Sequence, residues 1–230
     1  MPRLSSSRPF RDRAHAGRFL AERLRHYANR QDVLVLALPR GGVPVAHEVA
    51  TALQVPMDIF LVRKLGVPGH EELAMGAVAS GGVRVINEDV VRSLGIPDAA
   101  IDRVAQKELT ELSRREQAYR GNRPEPEIRG RTVILVDDGL ATGSTMRAAA
   151  QALRMKKPAK IVVAVPIASS DTCEALSREV DEVVCAVTPE PFYAVGLWYD
   201  DFDQTTDADV RALLAESRRG QGDRDGVLRS

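Results

Sequence analysis

The chain has few cysteines and no long apolar run. Only Cys173 and Cys185 occur among its 230 residues, which is too few, and too widely spaced, for a disulfide framework or a cysteine-based zinc site. We therefore predict two inert thiols in a reducing compartment, and a cytoplasmic protein. The longest apolar run, residues 161–168, has the length of a strand, whereas a membrane span needs about 20 apolar residues. No membrane segment is predicted.

The sequence has no excess of positively or negatively charged residues. The 32 Lys and Arg residues balance 32 Asp and Glu residues, so the formal net charge is +0. A neutral chain has no general positive field that gathers nucleic acid or anionic lipid. The Arg- and Ser-rich start lacks the apolar stretch of a secretory signal. The sequence thus predicts no nucleic-acid partner, no membrane association and no secretion.

The composition is otherwise that of a folded protein. Apolar residues make up 44% of the chain and charged residues 28%, close to ordinary globular usage. We predict one domain over residues 1–217. Residues 218–230 have almost nothing to bury and are predicted to be disordered.

Apolar runs and helical patterns alternate along the chain. Apolar runs typical of strands covered on both faces occur at residues 33–38, 57–62, 132–136, 161–168 and 182–187. Helical spacing predicts a first helix within residues 1–30 and further helices at residues 43–53, 98–120, 145–155 and 171–178. Residues 64–73 have no period and are predicted to be a loop, and Gly81-Gly82 predicts a hairpin. The alternation predicts an α/β fold: a doubly wound, mostly parallel sheet with helices on both faces, plus a small hood and a hairpin insertion.

The most informative stretch is VILVDDGLATGST, residues 133–145, where a strand ends in two carboxylates and a loop of small residues opens a helix. Ligands of doubly wound sheets collect at the carboxyl ends of the strands. Backbone N–H groups of the small residues would surround a phosphate, helped by the helix N-terminus. Asp137 and Asp138 would accept hydrogen bonds from sugar hydroxyls or hold Mg²⁺. Phosphate at one end and a diol at the other indicate a ribose 5-phosphate. The phosphate-binding candidates are Ala141, Thr142, Gly143, Ser144 and Thr145.

Other motifs explain this stretch less well. A Walker loop needs a Lys after its last Gly, whereas Gly139 and Gly143 have the wrong spacing and no such Lys follows. No strand is followed by the G-x-G-x-x-G of a dinucleotide site. A receiver domain needs a further Asp at the end of a later strand, which residues 182–187 do not offer. The remaining alternative is that the two acids only cap a turn.

The same stretch resembles the ribose-phosphate signature of the type I phosphoribosyltransferases, namely a strand, an acidic pair and a T-G-x-T loop. It departs from that pattern at Gly139, where the family usually has an apolar residue, and at Ala141, where Thr or Asp is common. The resemblance implies the family's fold and the transfer of ribose 5-phosphate from phosphoribosyl pyrophosphate, with Mg²⁺ at Asp137 and Asp138. It also implies a homodimer. The layout is similar to that of bacterial stand-alone members of undefined acceptor, so the implied acceptor is a nucleobase or another small nitrogen nucleophile.

A second strand end resembles the pyrophosphate loop of that family. Residues 38–42, LPRGG, follow the first core strand. Gly41 and Gly42 permit a close backbone approach, and Arg40 supplies a bidentate cation. The resemblance implies a cis peptide bond between Pro39 and Arg40 in this loop.

Two further cations follow the second predicted strand. The resemblance places Arg63 and Lys64 beside the pyrophosphate, where cations would draw charge away from the breaking bond. The predicted catalytic residues are Arg40, Lys64, Asp137 and Asp138. The predicted donor-binding residues outside the phosphate loop are Pro39, Gly41, Gly42 and Arg63.

The acceptor would be selected by a hood, for which residues 1–30 and 189–206 are the candidates. The second segment is rich in aromatic residues, and Phe192 and Trp198 are the predicted acceptor contacts. An aromatic surface would stack on a planar ring. The same side chains would serve equally well to close the edge of the sheet, and the sequence leaves both interpretations open.

Two other functions are compatible with this resemblance. One is a non-catalytic regulator of the same fold that senses phosphoribosyl pyrophosphate or a nucleotide, and the other is an inactive nucleotide-binding subunit. A regulator is expected to carry a nucleic-acid-reading module or a basic face, and neither is evident. The sequence therefore favours the transferase.

Overall fold

A computed structural model describes residues 9–227, apart from the side chains of residues 220–227. The described residues form eight strands: β1 (Val33–Ala37), β2 (Met57–Ile59), β3 (Val62–Val67), β4 (His70–Ala79), β5 (Val83–Ile86), β6 (Thr132–Val136), β7 (Lys160–Ile167) and β8 (Glu182–Val187). They also form seven α-helices: α1 (Arg13–Arg23), α2 (Gly42–Leu53), α3 (Glu88–Leu94), α4 (Asp98–Arg120), α5 (Ser144–Met155), α6 (Ser170–Ser177) and α7 (Asp207–Val227).

The core is a five-stranded parallel sheet in the order β2-β1-β6-β7-β8. Every residue of β1 and β6 is buried, because helices cover both faces and alternate side chains point to opposite faces. Val133 and Leu135 pack with side chains of α5 and α6. Ile134 and Val136 pack with side chains of α1 and α2. The predicted α/β fold is confirmed.

Residues 64–73 are not a loop, which corrects the prediction. They belong to the antiparallel strands β3 and β4, which form a three-stranded sheet with β5. The turn between them places Gly69 at φ +81°, a conformation that favours glycine. Leu65 and Met75 are fully buried in the core. Tertiary packing therefore stabilises strands in this segment, although its charged residues obscure the short apolar alternation in the sequence. The hairpin predicted at Gly81-Gly82 joins β4 to β5.

The two cysteines are not free thiols, which corrects a second prediction. Cys173 and Cys185 form a disulfide. Their sequence separation of 12 positions suggests no proximity, but the chain turns back after α6, so that the helix packs against the following strand β8. Their Cα atoms lie 6.5 Å apart, within the range of a disulfide.

The C-terminal helix extends further than the sequence predicts. Disorder is expected from residue 218, whereas α7 continues to Val227; residues 228–230 lie outside the described part of the chain. The helix is anchored by the buried Val210 and Leu214, and a helix once nucleated adds residues at low cost. Among the described residues, no helix is both long and apolar enough to cross a membrane.

Candidate functional site

Two loops meet at the carboxyl edge of the sheet because β1 and β6 are neighbours. Ala37 at the end of β1 pairs in register with Val136 at the end of β6. The Leu38 N–H still donates to the Val136 carbonyl at 2.9 Å, so the two chains leave the sheet side by side. One then forms residues 38–42 and the other forms the acidic pair and the small-residue loop.

The glycines of the first loop let the acidic pair come this close. A Cβ on Gly41 would lie 2.7 Å from the Asp138 Cγ and closer still to Oδ2. A Cβ on Gly42 would lie 2.7 Å from the Val136 carbonyl oxygen and 2.9 Å from the Asp137 Cα. Side chains larger than hydrogen would therefore separate the two loops.

The remainder of the first loop has the predicted backbone and a partly exposed cation. The peptide bond between Pro39 and Arg40 is cis, as the family resemblance implies. The Arg40 Nη1 lies 3.5 Å from the Asp207 Oδ1 at the start of α7, and its side chain is about one-third exposed (36%). The guanidinium thus remains accessible to an anion at this edge of the sheet.

The acidic pair is largely buried, and Arg13 provides a counter-charge to it. Arg13 of α1 donates from Nε to the Asp138 Oδ2 at 2.8 Å. Burial, and after it the Asp138 carboxylate, raises the pKa of Asp137 well above its ordinary value. Burial also raises the pKa of Asp138, although the Arg13 hydrogen bond opposes this rise. The Asp138 N–H donates to the Asp137 Oδ1 at 2.9 Å, which holds the two carboxyl groups in a fixed relation.

The small-residue loop forms a cradle at the N-terminus of α5. Gly143 has φ +68°, and the loop lines a cavity of about 170 Å³ together with Asp137. The Ser144 N–H faces the Thr142 Oγ1 at 3.4 Å, and the two hydroxyls lie 3.3 Å apart. A phosphate in this cradle would meet backbone N–H groups, hydroxyls and the positive end of the helix dipole. The cradle thus contains the predicted phosphate-binding residues Ala141, Thr142, Gly143, Ser144 and Thr145.

The two cations that follow β2 point in different directions. Arg63 forms an ion pair with Glu108 of α4 and lines a small cavity with Pro39 and Thr145. Lys64, the next residue of β3, lines a cavity of about 730 Å³ together with Ser144. Alternation along a strand sends neighbouring side chains to opposite faces, so the structure brings Arg63 to the first loop and Lys64 to the outer side of the phosphate loop.

The two predicted hood segments are joined to each other. The Phe10 N–H donates to the Trp198 carbonyl at 3.3 Å, and the Asp200 N–H donates to the Phe10 carbonyl at 2.9 Å. Phe192 and Trp198 pack against a buried cluster that includes Phe10 and Tyr199. This packing is what the edge-closing interpretation expects, and contact of Phe192 and Trp198 with an acceptor stays a prediction.

Three contacts of the site were not predicted from the sequence, although Tyr199 was among the aromatic candidates of the hood. Arg13 holds Asp138, the Tyr199 hydroxyl donates to the Asp138 carbonyl at 2.6 Å, and the Thr172 hydroxyl donates to the Ala141 carbonyl at 3.0 Å. Each reaches the site from a distant part of the sequence, and none belongs to a motif. For Tyr199 the aromatic enrichment of its segment was a signal, whereas Arg13 and Thr172 had none.

The departure at Gly139 has a structural reason. A Cβ at this position would lie 2.7 Å from the Ile167 Cγ2 and 2.5 Å from the Val195 Cγ1. Side chains from β7 and from the hood therefore fill the space in which the family usually has the apolar side chain of this loop.

An α/β sheet whose glycine loop and acidic loop meet at its carboxyl edge is typical of proteins that bind nucleotides or sugar phosphates. The family model described as phosphoribosyl transferase domain matches residues 11–196. The chain therefore belongs to the phosphoribosyl transferase domain family.

Relatives and solved structures agree with this membership. A protein of Mycobacterium tuberculosis strain H37Rv, provisionally named a phosphoribosyl transferase, is 49% identical over 210 residues, which are 91% of this chain and 47% of that protein. The chain thus spans about half (47%) of the length of the curated Mycobacterium tuberculosis relatives that it matches. A Thermus thermophilus protein of known crystal structure is 44% identical, with a TM-score of 0.82 over 90% of this chain and 98% of that one. The bifunctional protein PyrR of Chloroflexus aurantiacus is 33% identical over 56% of this chain and 66% of its own length.

Proposed function

We propose that the chain transfers ribose 5-phosphate from phosphoribosyl pyrophosphate to a nucleobase or another small nitrogen nucleophile, with release of pyrophosphate. The observation that carries this proposal is the close approach of Gly41 to Asp138. It puts a loop suited to pyrophosphate beside a carboxylate pair suited to sugar hydroxyls, and Asp137 of that pair lines the phosphate cradle. We propose that these three parts form one donor groove. A phosphorylated ribose with a pyrophosphate on C1 has these three chemical groups in the same order.

Each part of the groove has a separate task in this proposal. The loop from Ala141 to Thr145 binds the 5-phosphate, and Asp137 and Asp138 orient the ribose hydroxyls. Arg40, with Gly41 and Gly42, binds the pyrophosphate and stabilises the charge that develops on it as the bond to C1 breaks. The rate enhancement then comes mainly from holding the donor and acceptor in place and from electrostatic stabilisation.

The donor set also fits Mg²⁺. Mg²⁺ binds through one or two carboxylates together with substrate phosphates and waters, and the acidic pair offers carboxylate oxygens beside the Arg13 guanidinium. Asp137 and Asp138 would hold the ion, which supplies further positive charge to the leaving pyrophosphate. Among the side chains of residues 9–219, no cluster of three or more His, Cys, Asp or Glu is arranged to bind a metal, so pyrophosphate oxygens and waters would complete the coordination.

The remaining cations receive different roles. Arg63 shares a cavity with Pro39 and Thr145, and we propose that it supports the pyrophosphate loop from the α4 side. Lys64 lies on the outer side of the phosphate loop, beside Ser144. Its catalytic role is proposed as long-range neutralisation of the donor phosphates.

The acceptor, the assembly and the location complete the proposal. The acceptor enters beneath the joined hood segments, with Phe192 and Trp198 at its edge. We propose a homodimer and a cytoplasmic location. Because the two cysteines form a disulfide, they no longer support the prediction of a reducing compartment.

The test is calorimetric titration of Mg²⁺ and phosphoribosyl pyrophosphate into the protein and into the double variant Asp137→Asn, Asp138→Asn. We expect saturable binding to the native protein and none that can be measured to the variant, because the amides keep the shape of the pair and remove its charge. Bases and amines are then screened for release of pyrophosphate.

A matched control is Asp89→Asn, since the Asp89 side chain on α3 is 96% exposed and should leave binding unchanged. Equal donor affinity in the double variant and the native protein would contradict the site assignment. Binding without turnover for any acceptor would favour the sensing regulator.

A further inference from the structure

Helix α6 supports the phosphate loop through one side chain. The Thr172 Oγ1 donates to the Ala141 carbonyl at 3.0 Å, and Thr172 is 9% exposed. Its Cγ2 lies 2.8 Å from the position of a Cβ on Gly143, so its methyl group packs against the backbone of the same loop. Thr172 thus touches the loop twice, although it does not itself line the phosphate cradle.

The hydroxyl contact fixes the direction of a phosphate donor. The Ala141 carbonyl and the Thr142 N–H belong to one planar peptide group, in which a trans geometry points them in opposite directions. A hydrogen bond that holds this carbonyl toward α6 therefore aims the Thr142 N–H away from α6, and Thr142 is one of the residues that line the cradle. Without it, that peptide group is free to rotate and the N–H loses its fixed direction.

The hydroxyl is itself oriented by the start of α6. Ser169, which caps this helix, donates from Oγ to the Thr172 Oγ1 at 2.8 Å. Its Oγ also accepts from the Thr172 N–H at 3.2 Å. Because the Thr172 oxygen accepts from Ser169, its single proton is left for the Ala141 carbonyl.

The disulfide fastens this helix to the sheet. α6 has eight residues, of which only Thr172 and Leu176 are buried, so few apolar contacts hold it. Cys173, the residue after Thr172, is bonded to Cys185 of β8. Both cysteines are half-buried, which leaves the disulfide within reach of a small reductant.

We propose that Thr172 is a positioning residue for the 5-phosphate of the donor, and that the Cys173–Cys185 disulfide makes its action dependent on redox state. This inference rests on the proposed function, because it concerns the phosphate end of the same groove. A small dithiol reduces the S–S bond: two electrons and two protons pass to the cysteines, which become two thiols, while the dithiol becomes a disulfide. α6 is then held by its packing alone, and the grip on the Ala141 carbonyl weakens.

The experiment compares two probes that occupy opposite ends of the groove, ribose 5-phosphate and inorganic pyrophosphate with Mg²⁺. For Thr172→Val we expect about fivefold weaker binding of ribose 5-phosphate, because a loss of this size corresponds to one hydrogen bond. Binding of pyrophosphate should be unchanged. Thr172→Ser keeps the hydroxyl and should restore most of the affinity. Thr110→Val is the matched control, since it removes an exposed threonine hydroxyl that donates to a carbonyl within α4.

The redox arm repeats both titrations with and without a dithiol. Reduction of the native protein should weaken ribose 5-phosphate binding by no more than the Thr172→Val substitution does. Reduction of the Thr172→Val variant should weaken its binding little further, because reduction and substitution act on the same contact. The double variant Cys173→Ser, Cys185→Ser should bind like the reduced protein whether or not dithiol is present.

Three results would overturn the inference. Native affinity of Thr172→Val for ribose 5-phosphate, or an equal loss for both probes, would remove the positioning role. An affinity of the native protein that does not change on reduction would remove the redox dependence. If the native protein binds neither probe nor phosphoribosyl pyrophosphate, the proposed function fails together with this inference. The results named before this one contradict the inference only and leave the proposed function unaffected.

Discussion

At the scale of single residues, the site depends on the absence of one side chain. Gly41 has φ −58°, a conformation open to every residue, so only the nearby Asp138 carboxyl requires glycine here. We expect Gly41→Ala to displace that carboxyl or the loop and to reduce turnover by about 100-fold, as a shift of about 1 Å does in other active sites. Release of pyrophosphate, with an acceptor found in the screen, would measure turnover, and titration with phosphoribosyl pyrophosphate and urea unfolding would measure the effects on binding and stability.

Gly69→Ala is the control for Gly41→Ala, because a side chain at Gly69 would contact no other residue. Gly69 has φ +81° and no atom within 4 Å of an added Cβ. Gly69→Ala should therefore lose about 1 kcal/mol of stability through backbone strain and keep native affinity for the donor. Native binding by Gly41→Ala would show that the two loops separate easily, against the packing described above.

Some residues of this site can be predicted from the sequence and others cannot. Asp137, Asp138 and Gly41 were predictable because each lies within four residues of the end of an apolar strand, and neighbouring parallel strands bring their ends together. Arg13 is 125 residues from Asp138 and lies on a helix with many arginines, so no local pattern distinguishes it. Contacts of this kind depend on how helices pack on the finished sheet, which one sequence does not encode in a short motif.

At the scale of elements, the β3–β4 hairpin shows how burial decides structure. Met75 is 0% exposed and Leu73, two residues earlier on β4, is 45% exposed. Met75→Ala should lower the free energy of unfolding by about 2–4 kcal/mol, because it removes a buried side chain and leaves a cavity. Leu73→Ala should change it by about 0.5 kcal/mol or less.

Urea denaturation of both variants tests that assignment. Equal effects of Met75→Ala and Leu73→Ala would mean that the hairpin does not pack as described and that the prediction of a loop was closer to the truth. The strands of the main sheet were easier to predict, since β6 is apolar at every position after its first, whereas β3 and β4 each have charged residues in their first half and place their buried residues in their second half. Period-2 alternation interrupted by bulges is a weak signal in a short segment.

At the scale of the whole molecule, the acidic pair should reduce the stability of the unliganded protein. Burial raises the pKa of Asp137 and of Asp138 in the folded state, whereas an unfolded Asp titrates near 3.9. From about pH 4 upward, until the folded pKa values are passed, the folded state binds more protons than the unfolded state. The contribution of the pair to the free energy of unfolding therefore falls as pH rises through that window.

We expect Asp137→Asn to raise the unfolding midpoint at pH 7 in the absence of divalent cations and donor, although it removes a predicted binding group. The advantage of the variant over the native protein should grow from about pH 4 upward and shrink toward lower pH. The comparison cancels carboxylates of lowered pKa such as Glu182, which are common to both proteins, and Asp89→Asn should show no such trend. Mg²⁺ with phosphoribosyl pyrophosphate should raise the native midpoint and not that of the variant. A variant less stable than the native protein at pH 7 would mean that the Asp137 carboxylate supports the fold rather than the ligand.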